Sequence, residues 1–283
     1  RRPRGVSFAR RLSPPPRSRP DRMAPVAVVV GAGSKHDRDG SAAELEPAAR
    51  WGLGGALALR FARGGFHVVL LGRRAAVLEA VAAEVCAQGG AATPQQCDVG
   101  EDDSVRAAFD AAKALGSIEV VVFNAAPGFP PGRDFSNLPA PHEVDPAFLT
   151  AAFNVGVTGC LRCVREAVPE MLERGRGTIL LSGATMAVRG GTQFACMSPV
   201  KFALRSLGQS MYQEYAPKGV HVAHVIIDGV IKSPNTLPWE GKVQLQDPAD
   251  LADAYFQLHE QRPTVWSYEI QLSPQRGTPG HRL

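Results

Sequence analysis

The cysteines cannot be paired off. There are five (Cys86, Cys97, Cys160, Cys163 and Cys196), an odd and scattered set. That suits free thiols in a reducing, cytoplasmic compartment rather than a disulfide framework. Only Cys160 and Cys163 form a C-x-x-C pair. No second pair completes a zinc site, and their apolar neighbours point to core packing, so no metal is expected. Long apolar runs are missing as well. None approaches the roughly 18–20 residues of a membrane span, and no membrane partner is expected. Nor is there a basic surface for nucleic acid. The net charge is +4, but residues 1–22 hold eight Arg against one Asp, which leaves the rest of the chain net acidic. That opening segment has little to bury and reads as disordered. It is acid-poor and Arg-rich, as a mitochondrial targeting segment would be, though Pro14, Pro15 and Pro16 argue against an amphipathic helix. Met23 reads as a natural start, and 275–283 as a flexible tail.

Between these ends, residues 23–274 read as one domain with no internal repeat. The chain is organised around Val26-Ala-Val-Val-Val30-Gly31-Ala32-Gly33-Ser34, a buried strand running into a glycine turn, and Gly52-Leu53-Gly54-Gly55, which opens an amphipathic helix. A phosphate must approach backbone N–H groups at a helix N-terminus, where the dipole favours negative charge. A Cβ in that turn would block the approach or forbid a positive φ. Strand, glycine turn and helix start together make a dinucleotide-binding unit. Here a seventeen-residue insert, 35–51, separates its two halves. The insert offers Leu45, Trp51 and alanines, too little for a core. It is expected to loop out over the cofactor mouth, with a short turn over 42–45 and the helix beginning near Gly55.

Further strands are expected over 67–71, 91–96, 119–123, 178–182, 220–227 and 268–272. Helices are expected over 75–88, from Asp102 or Asp103 to Leu115, and over 146–174, 197–215 and 248–261. Continuous apolar strands alternating with helices indicate a parallel sheet covered on both faces. The expected fold is therefore α/β, a single doubly wound (Rossmann) domain. Ser34, Arg73, Asp98, Asn124, Ser182 and Asp228 all fall near the carboxyl ends of strands, where the ligand of such a sheet binds.

These residues resemble the short-chain dehydrogenase/reductase family over nearly all of 24–274. The likeness rests on the interrupted Gly31-Ala-Gly33…Gly52-Leu53-Gly54 loop, on Cys97-Asp98-Val99 and on Asn124-Ala125-Ala. It also rests on Asn154 in the long helix, on Lys201, and on Asp228-Gly229-Val-Ile231-Lys-Ser233, which stands where the family has Pro-Gly and a later Thr. The resemblance implies hydride transfer between a nicotinamide and a small-molecule alcohol or carbonyl. It implies cofactor contacts from Gly31, Gly33, Ser34, Gly52, Leu53, Gly54, Arg73, Asp98, Val99, Asn124, Ala125, Lys201, Gly229, Ile231 and Ser233. It also implies a homodimer or homotetramer paired through the helices over 146–174 and 197–215.

The same resemblance exposes two departures. The family's proton-transferring Tyr, four residues before Lys201, is Met197, and its orienting Ser is Ala184. A thioether transfers no proton. Asn154 and Lys201 remain, and Thr185 or Ser182 is expected to supply an orienting hydroxyl, with bound water or Lys201 acting as acid. An NAD-specific site usually carries an Asp at the end of the second strand. Here Gly72 is followed by Arg73 and Arg74, and an Arg accepts a 2′-phosphate through charge-assisted bonds. NADP(H) is therefore preferred, with NAD(H) open. The alternative function is a catalytically inactive dinucleotide-binding or interaction protein on the same fold.

Overall fold

The computed structural model describes residues 24–33, 42–134 and 136–276. The expectations for 1–22, Ser34, the first part of the insert and the tail beyond 276 lie outside the described residues. The elements run β1 (Val26–Val30), α1 (Pro47–Arg63), β2 (His67–Gly72), α2 (Ala75–Ala87), β3 (Ala91–Gln96), α3 (Asp102–Leu115) and β4 (Ile118–Phe123). Then follow α4 (Pro146–Phe153), α5 (Gly159–Arg174), β5 (Gly177–Ser182), α6 (Ser198–Tyr215) and β6 (Val220–Ile227). The short strands β7 (Val230–Ile231) and β8 (Leu245–Gln246), then α7 (Pro248–Glu260) and β9 (Glu269–Leu272), complete the order.

Seven strands form one parallel sheet in the order β3-β2-β1-β4-β5-β6-β9. The order reverses between β1 and β4, and the crevice at that switch point is where such sheets bind ligands. Pro94 sits in β3, which is an edge strand and can tolerate a missing N–H. Alternate residues of β1 point to opposite faces. Ala27 and Val29 join a core built by α1, α2 and α7, with Leu57, Phe61, Val81 and Tyr255. Val26, Val28 and Val30 join a second core built by α3, α5 and α6, with Phe109, Cys160, Cys163 and Met211. All five cysteines are free, and the C-x-x-C pair is core packing as its neighbours implied.

Three local expectations change. First, α1 begins at Pro47, eight residues early, and is broken at Gly52, whose φ of 65° and ψ of −168° fall outside the helix region. Leu45 N–H closes a turn on Ala42 O (3.2 Å), and Pro47 opens the helix at a position where its missing N–H costs nothing. The final turn of the insert therefore does not loop out. Trp51 is 2% exposed within the α1/α2/α7 core, because a single indole buries a large area where it finds a matching face.

Second, the helix over Pro146–Arg174 is continuous but carries a π-turn, Asn154–Thr158, between α4 and α5. Asp145 caps α4 by accepting from Ala147 N–H at 2.8 Å. An 18-residue window of this helix has mean hydropathy 1.4, apolar enough by length and composition to cross a membrane, contrary to expectation. A third of that window is buried within the chain, where Cys160, Cys163 and Val164 meet the sheet. Third, neither Asp102 nor Asp103 caps α3. Glu101 holds the cap position, and the Asp102 carboxylate instead receives Arg162 (2.9 Å) and Arg165 (3.4 Å).

Candidate active site

The glycine turn is assembled by backbone contact. Beyond β1, the N–H groups of Gly31 and Ala32 both donate to Leu71 O, at 2.8 and 3.1 Å. Gly31 has a φ of 83°, and a Cβ there would lie 2.8 Å from Ala125 N. A Cβ on Gly54 would lie 2.2 Å from Gly31 O, so only glycine lets α1 rest directly on the turn. Asn124 Nδ2 donates to Gly31 O at 3.0 Å, and Asn124 N–H to Val30 O at 2.9 Å. Gly31, Gly54, Asn124 and Ala125 are thus brought together at the carboxyl ends of β1 and β4, with Leu53 buried behind them. This is a cradle that side chains would fill, and it fits a dinucleotide.

Of the two arginines after β2, Arg74 is the one that approaches the turn. Its Nη2 lies 3.9 Å from where a Cβ on Gly33 would stand, while Arg73 is exposed and accepts through its carbonyl from Gln96 Nε2 (3.0 Å). Arg74 thus stands beside the glycine turn, and Arg73 on its exposed side. Arg73 follows the last residue of β2, and Arg74 holds the position that caps α2.

The loop after β3 is held by its own carboxylate. Asp98 Oδ1 accepts from Gly100 N–H at 2.9 Å, and Asp98 N–H donates to Ser104 Oγ at 3.0 Å. Asn154 reaches it from the π-turn, Nδ2 donating to Gly100 O at 3.2 Å. Arg162 then donates to Asn154 Oδ1 at 2.9 Å and to Val99 O at 3.1 Å. Asp98, Val99 and Asn154 are one connected unit, and Arg162, which no sequence motif marks, binds it together. Arg162 also holds the Asp102 carboxyl below its usual range, chiefly by hydrogen bonding.

Lys201 lies on α6, 9% exposed, and its Nζ donates to Ser182 O at 2.8 Å at the end of β5. The Cys160 thiol, buried near it, is pushed up to about 12 by desolvation in spite of that positive charge.

The two proposed hydroxyls are differently placed. Ser182 Oγ accepts from Tyr255 OH at 2.8 Å, and both residues are buried on the α7 side of the sheet. Ser182 therefore cannot orient a substrate, because alternation along β5 sends its side chain to the opposite core. Thr185, half-buried, donates from Oγ1 to Asp228 Oδ1 at 2.5 Å. Asp228 is itself 3% exposed, and its Oδ2 accepts from Gln271 Nε2 and Ser273 Oγ, both at 2.9 Å. The cue to Asp228 was in the sequence: a carboxylate closing an eight-residue buried strand.

Met197 is buried with Leu138 and Cys196, against Phe129, Val144, Phe148 and Met186. The position of the absent phenol is thus filled by an apolar cluster. After β6, a Cβ on Gly229 would lie 2.5 Å from Gln246 Oε1, and Ile231 pairs with Gln246 across the β7–β8 ladder. Ser233 is buried, its hydroxyl bonded to Thr236 Oγ1 at 3.0 Å. Beneath this edge lies a charged group no sequence motif announced. His224 Nδ1 meets Glu269 Oε2 at 2.8 Å, and Arg205 clasps Glu269 with two bonds of 2.7 Å. Burial lowers the His224 pKa, and the guanidinium lowers that of Glu269.

Known proteins resemble this chain in sequence and in fold. The family described as short chain dehydrogenase matches residues 48–242, beginning just after the insert's turn. Dehydrogenase/reductase SDR family member 4 of Mus musculus is 30% identical over 198 residues, covering 68% of this chain and 67% of that protein. Glucose 1-dehydrogenase of Gluconobacter oxydans is 30% identical over 207 residues, covering 72% and 74%. The crystal structure of a short-chain dehydrogenase from Rhodopseudomonas palustris superimposes with a TM-score of 0.71 at 30% identity, covering 90% of this chain and all of that one.

Proposed function

Since the chain belongs to the short-chain dehydrogenase/reductase family, we propose that it is an NADP(H)-linked oxidoreductase acting on a small-molecule alcohol or carbonyl. The observation that carries this reading is the single sheet edge that holds both the Gly31–Gly54 backbone contact and the buried Lys201. The first suits a pyrophosphate, the second a ribose and a reacting oxygen. When bound, the nicotinamide supplies the hydride donor or acceptor. Gly31, Gly33, Leu53 and Gly54 would hold its pyrophosphate, Asp98 and Val99 the adenine, and Asn124, Ala125, Lys201, Gly229, Ile231 and Ser233 the remainder. The preference for NADP(H) rests on Gly72, where no carboxylate meets a ribose hydroxyl, and on Arg74 beside Gly33. Self-association through α5 and α6 is part of the proposal, supported by Leu161 and Phe202, exposed at 43% and 41%. So is a reducing, cytoplasmic setting, supported by the free thiols.

Met197 favours one second reading, a dinucleotide-binding protein without turnover. Calorimetric titration with NADPH and NADH, and a carbonyl-reduction panel with the native chain and Met197→Tyr, separate the two. Binding with native turnover supports the enzyme. Binding with turnover only in M197Y supports the second reading. Failure to bind either dinucleotide refutes both.

A further inference from the structure

The absent phenol leaves the site without an obvious group to take a substrate proton. Met186 packs with Met197 at that position, and Thr185, the residue before it, carries the hydroxyl bonded to Asp228. Thr185 follows Ala184, the residue aligned with the family's orienting Ser, and opens the short turn Thr185–Ala187 beyond β5. It is half-buried, whereas Ser182 is sealed against Tyr255. Its one hydroxyl proton is directed at Asp228 Oδ1. A hydroxyl whose proton is so engaged offers only lone pairs to a ligand. It therefore cannot polarise a carbonyl oxygen by donating to it, as a free Ser hydroxyl would. It can accept from a group that carries a proton.

The carboxylate behind it is fixed from every side that the bonds reveal. Asp228 N–H donates to Leu272 O at 2.8 Å, while Gln271 and Ser273 hold Oδ2. Oδ1 is thereby aimed at Thr185 without freedom to swing. A hydroxyl between a proton source and a carboxylate can receive a proton on one side as it gives one up on the other.

We propose, resting on the oxidoreductase reading above, that Thr185 is the substrate-contacting proton acceptor of this site, that Asp228 is its positioning and proton-holding partner, and that the substrate they receive is an alcohol. The alcohol O–H donates to Thr185 Oγ1. When the alcohol is oxidised, the hydride on its carbinol carbon would go to the oxidised nicotinamide of the proposed function, its hydroxyl proton moves to Thr185 Oγ1, and the proton already on Thr185 moves to Asp228 Oδ1. Thr185 ends as it began, a neutral hydroxyl. Asp228 passes from carboxylate to carboxylic acid, so charge and protons balance.

The test uses the full chain and matched pairs, cyclohexanol with cyclohexanone and 1-phenylethanol with acetophenone. Asp228 is followed by ¹³C NMR of aspartate-labelled protein, its carboxyl signal assigned by its loss in Asp228→Asn. With NADP⁺ present, the alcohols are expected to move that signal, the ketones to leave it unmoved, and Thr185→Val to abolish the response. Steady-state oxidation gives the second readout. Thr185→Val and Asp228→Asn each lower kcat by about 100-fold or more with KM little changed, as for loss of a proton-transfer group. Thr185→Ser, which keeps the hydroxyl, stays within about tenfold of native. Thr185→Val alters only a half-buried side chain, so it serves if Asp228→Asn does not fold. Dinucleotide binding and turnover that survive Thr185→Val overturn this inference and leave the oxidoreductase reading standing. So does an Asp228 signal that no alcohol moves although NADP⁺ binds. Failure of the native chain to bind either dinucleotide overturns both.

Discussion

Trp51→Ala removes the largest buried side chain of the chain's departure from its family. The indole is 2% exposed in the α1/α2/α7 core, its Cβ stands 2.2 Å from where a Cβ on Gly55 would lie, and the Arg50 guanidinium sits 4.4 Å over its ring. Truncating a buried Trp to Ala costs about 3–5 kcal/mol. One contribution runs the other way. Trp51 Nε1 is buried with no hydrogen-bond partner among the described residues, and removing an unsatisfied donor recovers about 1–3 kcal/mol. The expected net loss is about 2 kcal/mol, the midpoint of the two ranges. For a domain of this size that lowers Tm by roughly 4–8 °C. Trp51→Phe keeps one ring and loses the unsatisfied N–H with part of the indole, a small cavity set against a recovered desolvation cost, so it should stay within about 1 kcal/mol of native. Urea unfolding followed by far-ultraviolet circular dichroism measures both variants. The same logic distinguishes two deletions. Removing 35–51 takes Trp51 away and should carry its stability cost, whereas removing 35–46 should not. If Trp51→Ala lies within about 0.5 kcal/mol of native, the residue belongs to a surface loop and the reasoning fails.

Two further predictions follow from the site's surroundings. Arg74→Asp should weaken NADPH binding at least about tenfold, roughly 1.4 kcal/mol, with little effect on NADH, and Arg73→Asp should do less; calorimetric titration that ranks them the other way would return the contact to Arg73. Burial lowers the pKa of His221, His224 and His259, so the unfolded chain takes up protons the folded chain refuses; stability should hold above about pH 6.5 and decline as pH falls below it. The urea midpoint should therefore drop between pH 7.5 and pH 5, and less steeply in His224→Asn; a midpoint indifferent to pH would contradict this.

Strands and crossovers were legible because each carries a simple signal. Val26–Val30 and Val220–Ile227 are unbroken apolar runs, and a sheet buried on both faces demands that. The site was legible where a residue's type dictates its use, as at Gly31, Gly54, Asn124 and Lys201. It was illegible where use depends on direction. Ser182 and Thr185 are three residues apart and chemically alike, yet one faces Tyr255 and the other Asp228, and only the pleat and the turn after it decide which. Arg73 and Arg74 differ in the same way. The burial of Trp51 was illegible in the apolar content of the whole insert, because burial is settled one side chain at a time. Arg162 and Glu269 had no signal at all, since their partners lie on other elements.

The π-turn at Asn154–Thr158 acts as a phase adjuster. One extra residue in a helical turn advances everything beyond it by about 100° around the axis. Upstream, the helix must present Asn154 to Gly100; downstream, it must present Cys160, Cys163 and Val164 to the sheet. With a regular spiral, one of those two facings would be rotated away from its target. The bulge lets a single rod serve two azimuths, so the nucleotide loop and the hydrophobic core are tuned separately along one helix. Loss of one residue from 155–158 would keep Asn154 and the core side chains and aim half of them at the wrong neighbour.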